Sequence, residues 1–379
     1  MNPTSQSRGV GRATGSRYGT AKIDRMPPTL VRTADGKMPY FPALDGVRAY
    51  CILLVMFDHL KSGGHGVRWL NGHLGVDLFF ILSGFLITTL LRREQYFTGH
   101  IDLGAFYWRR LFRIIPVYLV VLVLYVLVCH LPGQTEKWNQ LHGGLPYFLT
   151  MMNEFAREPG NGNVFSHTWS LGVEEKFYLI WPILFFLVAK TFRVRMWVIG
   201  SLFALAGAAS IVGYGYLAQA YFGLVMGCLM AVVLSGQHGE RVLAGVGRMP
   251  VIVVLGMFLA GFYAEHLNKV LIIVFSTTSI IFLIFLIARD SWLRRIHTWG
   301  PMVWLGKRSY SMYLVHVLCL NVFEAWVKVD SGWKATAVLA LSYGLTALVA
   351  EGLYRVVEVP ARRFGRRWLA RRGEVAAAI

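Results

Sequence analysis

Ten apolar blocks recur along the chain, at roughly 44–60, 74–91, 112–131, 169–189, 197–215, 218–235, 250–264, 269–288, 302–325 and 335–357. Most approach about 20 residues, the length a helix needs to cross about 30 Å of hydrocarbon. The seventh is the shortest. The pattern predicts an all-α integral membrane protein with about ten transmembrane helices. The longest polar gap, 132–167, is too short for an independent domain of ordinary size. Three regions follow: a basic, disordered arm over 1–40, a transmembrane domain over 41–360 and a basic tail over 361–379. The arm is rich in Gly, Ser, Thr and Pro and holds no apolar run, so no cleavable signal peptide is expected at the start.

The polar gaps alternate in charge. Lys and Arg crowd the arm (Arg8, Arg12, Arg17, Lys22, Arg25, Arg32, Lys37), the second gap (Arg92, Arg93, Arg109, Arg110), the fourth (Lys190, Arg193, Arg195), the sixth (Arg241, Arg248), the eighth (Arg289, Arg294, Arg295) and the tail. The intervening gaps hold only Lys61 and Arg68, Lys137 and Arg157, Lys269, and Lys328 and Lys334. This bias predicts both termini in the cytoplasm and an even number of spans. It also accounts for the net charge of +18 without nucleic acid, because the basic residues sit between apolar blocks. Composition agrees with a membrane chain: 55% hydrophobic, 15% charged, mean hydropathy +0.50. The four cysteines lie inside or at the ends of apolar blocks and lack the paired spacing of a zinc or redox site, so no metal is expected.

Ionisable residues inside spans are costly and mark candidate sites. Arg48 and His59 share the first span, eleven residues or about 16 Å apart, so they belong to different depths of one path. His73 and Asp77 lie four apart on one face at the start of the second span, where Ser83 and Gly84 suit close helix packing. Arg110 and Arg113 share a face at the entry to the third span, where two guanidiniums can grip phosphates. The segment HTWSLGVEEKFYLIWP brings His167, Glu174 and Glu175 into the fourth span, and His167 and Glu174 share a face if the helix begins that early. His316 lies about 20 Å into the ninth span. Glu358, after the last span, is expected to pair with neighbouring arginines. By this topology His59, Asp77, Glu174 and His316 gather in the outer half and Arg48, Arg110 and Arg113 at the inner face.

The segments LDGVRA with Arg48 and His59, GVDLFFILSGFLI, Arg110-Leu-Phe-Arg113, HTWSLGVEEKFYLIWP and LGKRSYSMYLVH occur in one order over 41 to about 360. In this combination the chain resembles the acyltransferase-3 family of polytopic membrane O-acyltransferases, which modify bacterial surface carbohydrates. One departure is the stretch LAQAYFGLVMGCLMA, with Gln219 and Tyr221 where relatives often carry an arginine. The resemblance implies an acyl-CoA donor, most often acetyl-CoA, and a hydroxyl of a carbohydrate or glycolipid acceptor, in the bacterial cytoplasmic membrane. It implies catalysis by His59 and Glu174, with Glu174 orienting His59 as the acid does in a triad. Arg48, Arg110, Arg113, Asp77, His167, Glu175 and His316 would bind donor or acceptor. The competing classes are a secondary transporter of a small polar solute, which also needs polar residues at two depths, and a non-catalytic membrane scaffold. No repeated pair of broken spans supports a transporter, and a scaffold leaves the buried Glu174 unexplained. The oligomeric state is open, and an oligomer is compatible with this reading.

Overall fold

The computed structural model describes residues 30, 40–59, 72–156, 164–188, 191–211, 215–267, 271–326 and 332–372. All regular structure among them is helical. Every apolar block forms a helix: α1 (Pro42–Asp58), α2 (Leu74–Thr98), α3 (Leu103–Cys129), α5 (Trp169–Pro182, running on as a π turn over Ile183–Val188), α6 (Phe192–Ile211), α7 (Gly215–Leu234), α9 (Val251–Leu267), α10 (Ile272–Ala288), α12 (Gly300–Trp326) and α13 (Gly332–Leu353). Helices in the gaps are α4 (Thr135–Leu149), α8 (Gly239–Gly247), α11 (Trp292–His297) and α14 (Val359–Arg371). By length and apolarity four helices suit a membrane crossing: α2, α3, α7 and the continuous run Thr336–Arg371. The pair α8 and α9, bent by 100°, makes a fifth. α1 and α10 are helical but have only 17 residues each. Wide bands of exposed apolar side chains remain, such as Val123 and Leu127 on α3, Ile252 on α9 and Leu348 on α13. Exposed apolar surface on that scale fits lipid, not water.

Packing follows small residues. The most extensive helix pair is α2 with α7. A Cβ on Gly84 would collide with the Leu224 carbonyl, and one on Gly227 with the Ile81 carbonyl. The two backbones therefore touch where side chains would hold them apart, as small residues allow in membrane bundles. α12 lies against α1 in the same way, with Gly306 on the Asp45 carbonyl. That contact fixes the relative height of Arg48 and His59 on α1 and of Tyr310, Tyr313 and His316 on α12.

Both π turns sit beside a proline. Pro182 immediately precedes the first, and Pro360 follows Tyr354–Glu358. A proline lacks the N–H that would close the preceding turn, so the ladder rearranges locally. The second turn directs Glu358 inward, where its Oε2 accepts from Ser311 and its Oε1 lies 3.4 Å from Arg362. The expected pairing of Glu358 with a nearby arginine is thus formed. The tail is helical through Arg371, and Phe364 and Trp368 stack on Phe112 and Trp108 of α3, with ring centroids 5.5 and 4.7 Å apart. The arm expected over 1–40 lies outside the described residues except for Leu30 and Tyr40. Leu30 is buried, and its carbonyl accepts from Arg93 Nε at 2.6 Å.

Candidate active site

A cavity of about 400 Å³ opens between α1, α2, α3, α5 and α12. Its wall on α2 runs from Val76 to Thr98, 22 helical rises or about 33 Å. Arg48, Arg110, Arg113, Glu174, Tyr178, Tyr310, Ser170 and Tyr313 also line it. The volume is that of a small-molecule site. The cavity has two chemically different ends.

At one end stand the arginines. The Arg110 guanidinium lies between the rings of Phe106 and Tyr178, 5.8 and 5.4 Å from their centroids. Arg48 lies over Phe79 at 5.9 Å. Such faces hold a cation in place without cancelling its charge. Glu94, which also lines the cavity, is already engaged: it accepts from Arg109 at 2.9 Å and from the Asp102 amide at 3.0 Å. Arg113 joins Arg48 and Arg110 as a charged neighbour, so three guanidiniums converge on one wall.

Glu174 belongs to this group. It accepts from Ser83 Oγ at 2.6 Å, and Arg48 and Arg113 are its charged neighbours. The expected meeting of Glu174 with His59 does not occur among the described contacts. The reason is depth. Glu174 lies seven residues, about 10 Å, along α5 from His167, and it is His167 that stands at the level of His59. Glu175 turns away from the cavity wall, near Arg110, and its buried Oε1 has no protein partner. Asp77 is buried in the first turn of α2 and is not part of that wall. In the same corner His73 reaches Glu265 of α9 at 3.2 Å.

Beyond the far end, behind Tyr313, three imidazoles meet. The His59 ring centroid lies 4.9 Å from that of His316 and 6.4 Å from that of His167, and the latter two are 5.1 Å apart. His59 ends α1, and its Nδ1 lies 2.8 Å from the Val55 carbonyl. A carbonyl can only accept, so Nδ1 carries the hydrogen and Nε2 keeps its lone pair. That is the tautomer a general base or an acyl carrier requires. The carbonyl does the orienting that a carboxylate does elsewhere. His167 is held by a polar lock: Asn153 Nδ2 donates to Thr168 Oγ1 at 2.7 Å and to Tyr118 Oη at 3.0 Å, and Tyr118 donates to the Phe148 carbonyl.

Tyr313 divides the two ends. It lines the cavity, and its hydroxyl is shared between Ser170 Oγ at 2.7 Å and the His167 carbonyl. The three histidines lie beyond it and do not line the cavity. Tyr313, Ser83 and Ser170 were not singled out as candidates from the sequence. Tyr313 lies three residues before His316, a spacing that places both on one helix face, so a signal for it was present. Arg362 was also missed. The docking of α14 makes it a charged neighbour of Arg113, and no local pattern announces that. In the departing stretch, Tyr221 borders a second, apolar cavity between α5, α6 and α7.

Comparison with known proteins identifies the family. The family model of the acyltransferase domain, acyltransferase-3, matches residues 41–354. The O-acetyltransferase OatA of Staphylococcus aureus (strain NCTC 8325 / PS 47) is 29% identical over 366 residues, covering 86% of this chain and 58% of the relative. A putative O-acetyltransferase of S. aureus (strain COL), SACOL0978, is 30% identical over 366 residues, covering 87% of this chain and 58% of the relative. The chain thus matches less than two thirds of the length of these relatives. No solved structure matches it. Because that family model spans residues 41–354, from before Arg48 on α1 to beyond His316 on α12, the chain belongs to the acyltransferase-3 family.

Proposed function

We propose that the chain is a membrane-bound O-acyltransferase that moves an acyl group, most often acetyl, from acyl-CoA to a hydroxyl of a cell-envelope or exported carbohydrate. The observation that carries this reading is the cavity that runs from three converging guanidiniums to Tyr313, behind which His59 turns its Nδ1 to the Val55 carbonyl. The donor is polyanionic and is made in the cytoplasm. Its phosphates suit Arg110, Arg113 and Arg48, which offer charge-assisted hydrogen bonds. The pantetheine arm then lies along the α2 wall, and the thioester reaches the level of Tyr313. His59 Nε2 takes the proton of the acceptor hydroxyl as the oxygen attacks the thioester carbonyl, and that proton leaves with the coenzyme thiol. A covalent route, in which His59 first carries the acyl group, uses the same lone pair. Glu174 acts on the donor side, where it holds Arg48 and Ser83 in place.

This reading puts the arginine end at the cytoplasmic face and the histidine end toward the outside of the bacterial cytoplasmic membrane. It keeps the ten helical blocks as ten spans with both termini inside. Purified full-length protein in nanodiscs, supplied with radiolabelled acetyl-CoA and envelope glycan from the host cell, tests the reaction. Label on the glycan and free thiol in equal amounts support it. Movement of a solute across the bilayer without covalent change would point to a transporter instead. Cysteine tags at residues 59 and 113 test the orientation, since the two must open to different compartments.

A further inference from the structure

The histidine end contains two lone pairs that the acyl-transfer step leaves unused. His316 is fully buried. Its Nδ1 lies 2.6 Å from the Tyr313 carbonyl, so the hydrogen sits on Nδ1 and Nε2 is a bare acceptor. No group among the described residues reaches that Nε2. His167, 6% exposed, repeats the arrangement with the nitrogens exchanged: Nε2 faces the Leu314 carbonyl at 3.3 Å, and Nδ1 is buried without a protein partner. A buried acceptor left unmade costs about 1–3 kcal/mol, and two such atoms in adjacent rings call for an explanation. Their partner must donate. A thioester carbonyl or a phosphate only accepts and does not satisfy them. A neutral group rich in hydroxyls does.

We propose that His316 Nε2 and His167 Nδ1 form the acceptor subsite, each accepting a hydrogen bond from carbohydrate hydroxyls that neighbour the one deprotonated by His59. The 4.9 Å spacing of the His59 and His316 rings lets one sugar ring reach both, so the site selects a polyol over a simple alcohol. This inference rests on the acyl-transfer reading above, and it divides the histidines by role: His59 reacts, while the other two bind and position.

The test uses full-length protein in nanodiscs, acetyl-CoA, and host envelope polysaccharide stripped of its esters by alkali. Two pairs of variants separate a lost acceptor atom from a packing defect. Gln and Met are alike in bulk, but only Gln places an acceptor near the Nε2 position. Asn and Leu do the same for Nδ1. His316→Met should raise the glycan KM about tenfold, the worth of one lost hydrogen bond, and His316→Gln should restore most of it. His167→Leu and His167→Asn should behave as the second pair. In all four, the acetyl-CoA KM should stay within about twofold of the unsubstituted protein. The proposal is overturned if the Met and Leu variants keep the original glycan KM, if Gln and Met are equally impaired, or if donor binding falls together with transfer. If the unsubstituted protein neither releases thiol nor labels glycan, the acyl-transfer reading itself fails, which is a separate result.

Discussion

The cavity's arginine end and the histidine cluster beyond Tyr313 handle polarity in opposite ways. At the arginine end, charged side chains are half-buried, line an open space, and rest on aromatic faces or on Glu174. Beyond Tyr313 the three imidazoles are anchored to backbone carbonyls, and His167 Nδ1 and His316 Nε2 have no hydrogen-bond partner among the described residues. Charge can be gathered only where the cavity keeps it partly solvated, because a dry, unpaired guanidinium is too costly. Acyl transfer needs the reverse, since water at the reaction centre would take the acyl group. Under the proposed reaction, docking and chemistry are separated along one path, with the Tyr313 hydroxyl between them.

That division can be broken from either end. The largest effect is expected for His59→Ala. Loss of a general base should lower glycan acetylation by about 10²–10⁴-fold, while equilibrium binding of acetyl-CoA stays unchanged. Weakened binding would mean the two ends are not separate. Next comes Arg113→Ala. Removing a charge-assisted contact worth about 1.5–3 kcal/mol should raise the acetyl-CoA KM by about 10–150-fold with little change in kcat. An equal fall in kcat would place Arg113 in the chemistry. Tyr313→Phe removes a neutral hydroxyl that bonds Ser170 and the His167 carbonyl. It should slow transfer by about 2–10-fold at unchanged acetyl-CoA KM, and a raised donor KM would put Tyr313 with the arginines. The smallest effect is expected for Arg362→Ala on α14. Its charge adds to that of Arg113 from a more exposed position and already meets Glu358. The acetyl-CoA KM should rise by about 2–5-fold, and the rise should shrink at high salt, as screening requires.

The case of Glu174 shows where reading along a helix stops. Its seven-residue spacing from His167 would put both on one face only if the helix began that early, but α5 begins at Trp169 and His167 stands before it in a 3-10 turn over Ser166–Thr168. The spacing also states that they differ in depth by two turns, and the depth decided the partners. Ser83 and Arg48, on α2 and α1, claimed the carboxylate. The pairing with His59 was drawn by analogy with a triad and not from depth. Arg48 and His59 show the opposite outcome. Their separation along one helix is a property of that helix alone, and the structure keeps it.

The sequence by itself determined the helices, their apolar length, the sorting of charge between gaps, and any separation within a single helix such as that of Arg110 from Arg113. These depend on local hydrogen bonding and on the cost of burying charge in hydrocarbon, which each segment meets alone. Only the tertiary structure decided which helices face one another and at what height. Gly306 on the Asp45 carbonyl and Gly84 on the Leu224 carbonyl set those heights. The α12–α1 contact brings His316 beside His59, and the docking of α14 on α3 carries Arg362 to Arg113. Contacts between segments distant in the chain depend on the fit of whole surfaces, and no periodicity within one segment encodes that fit.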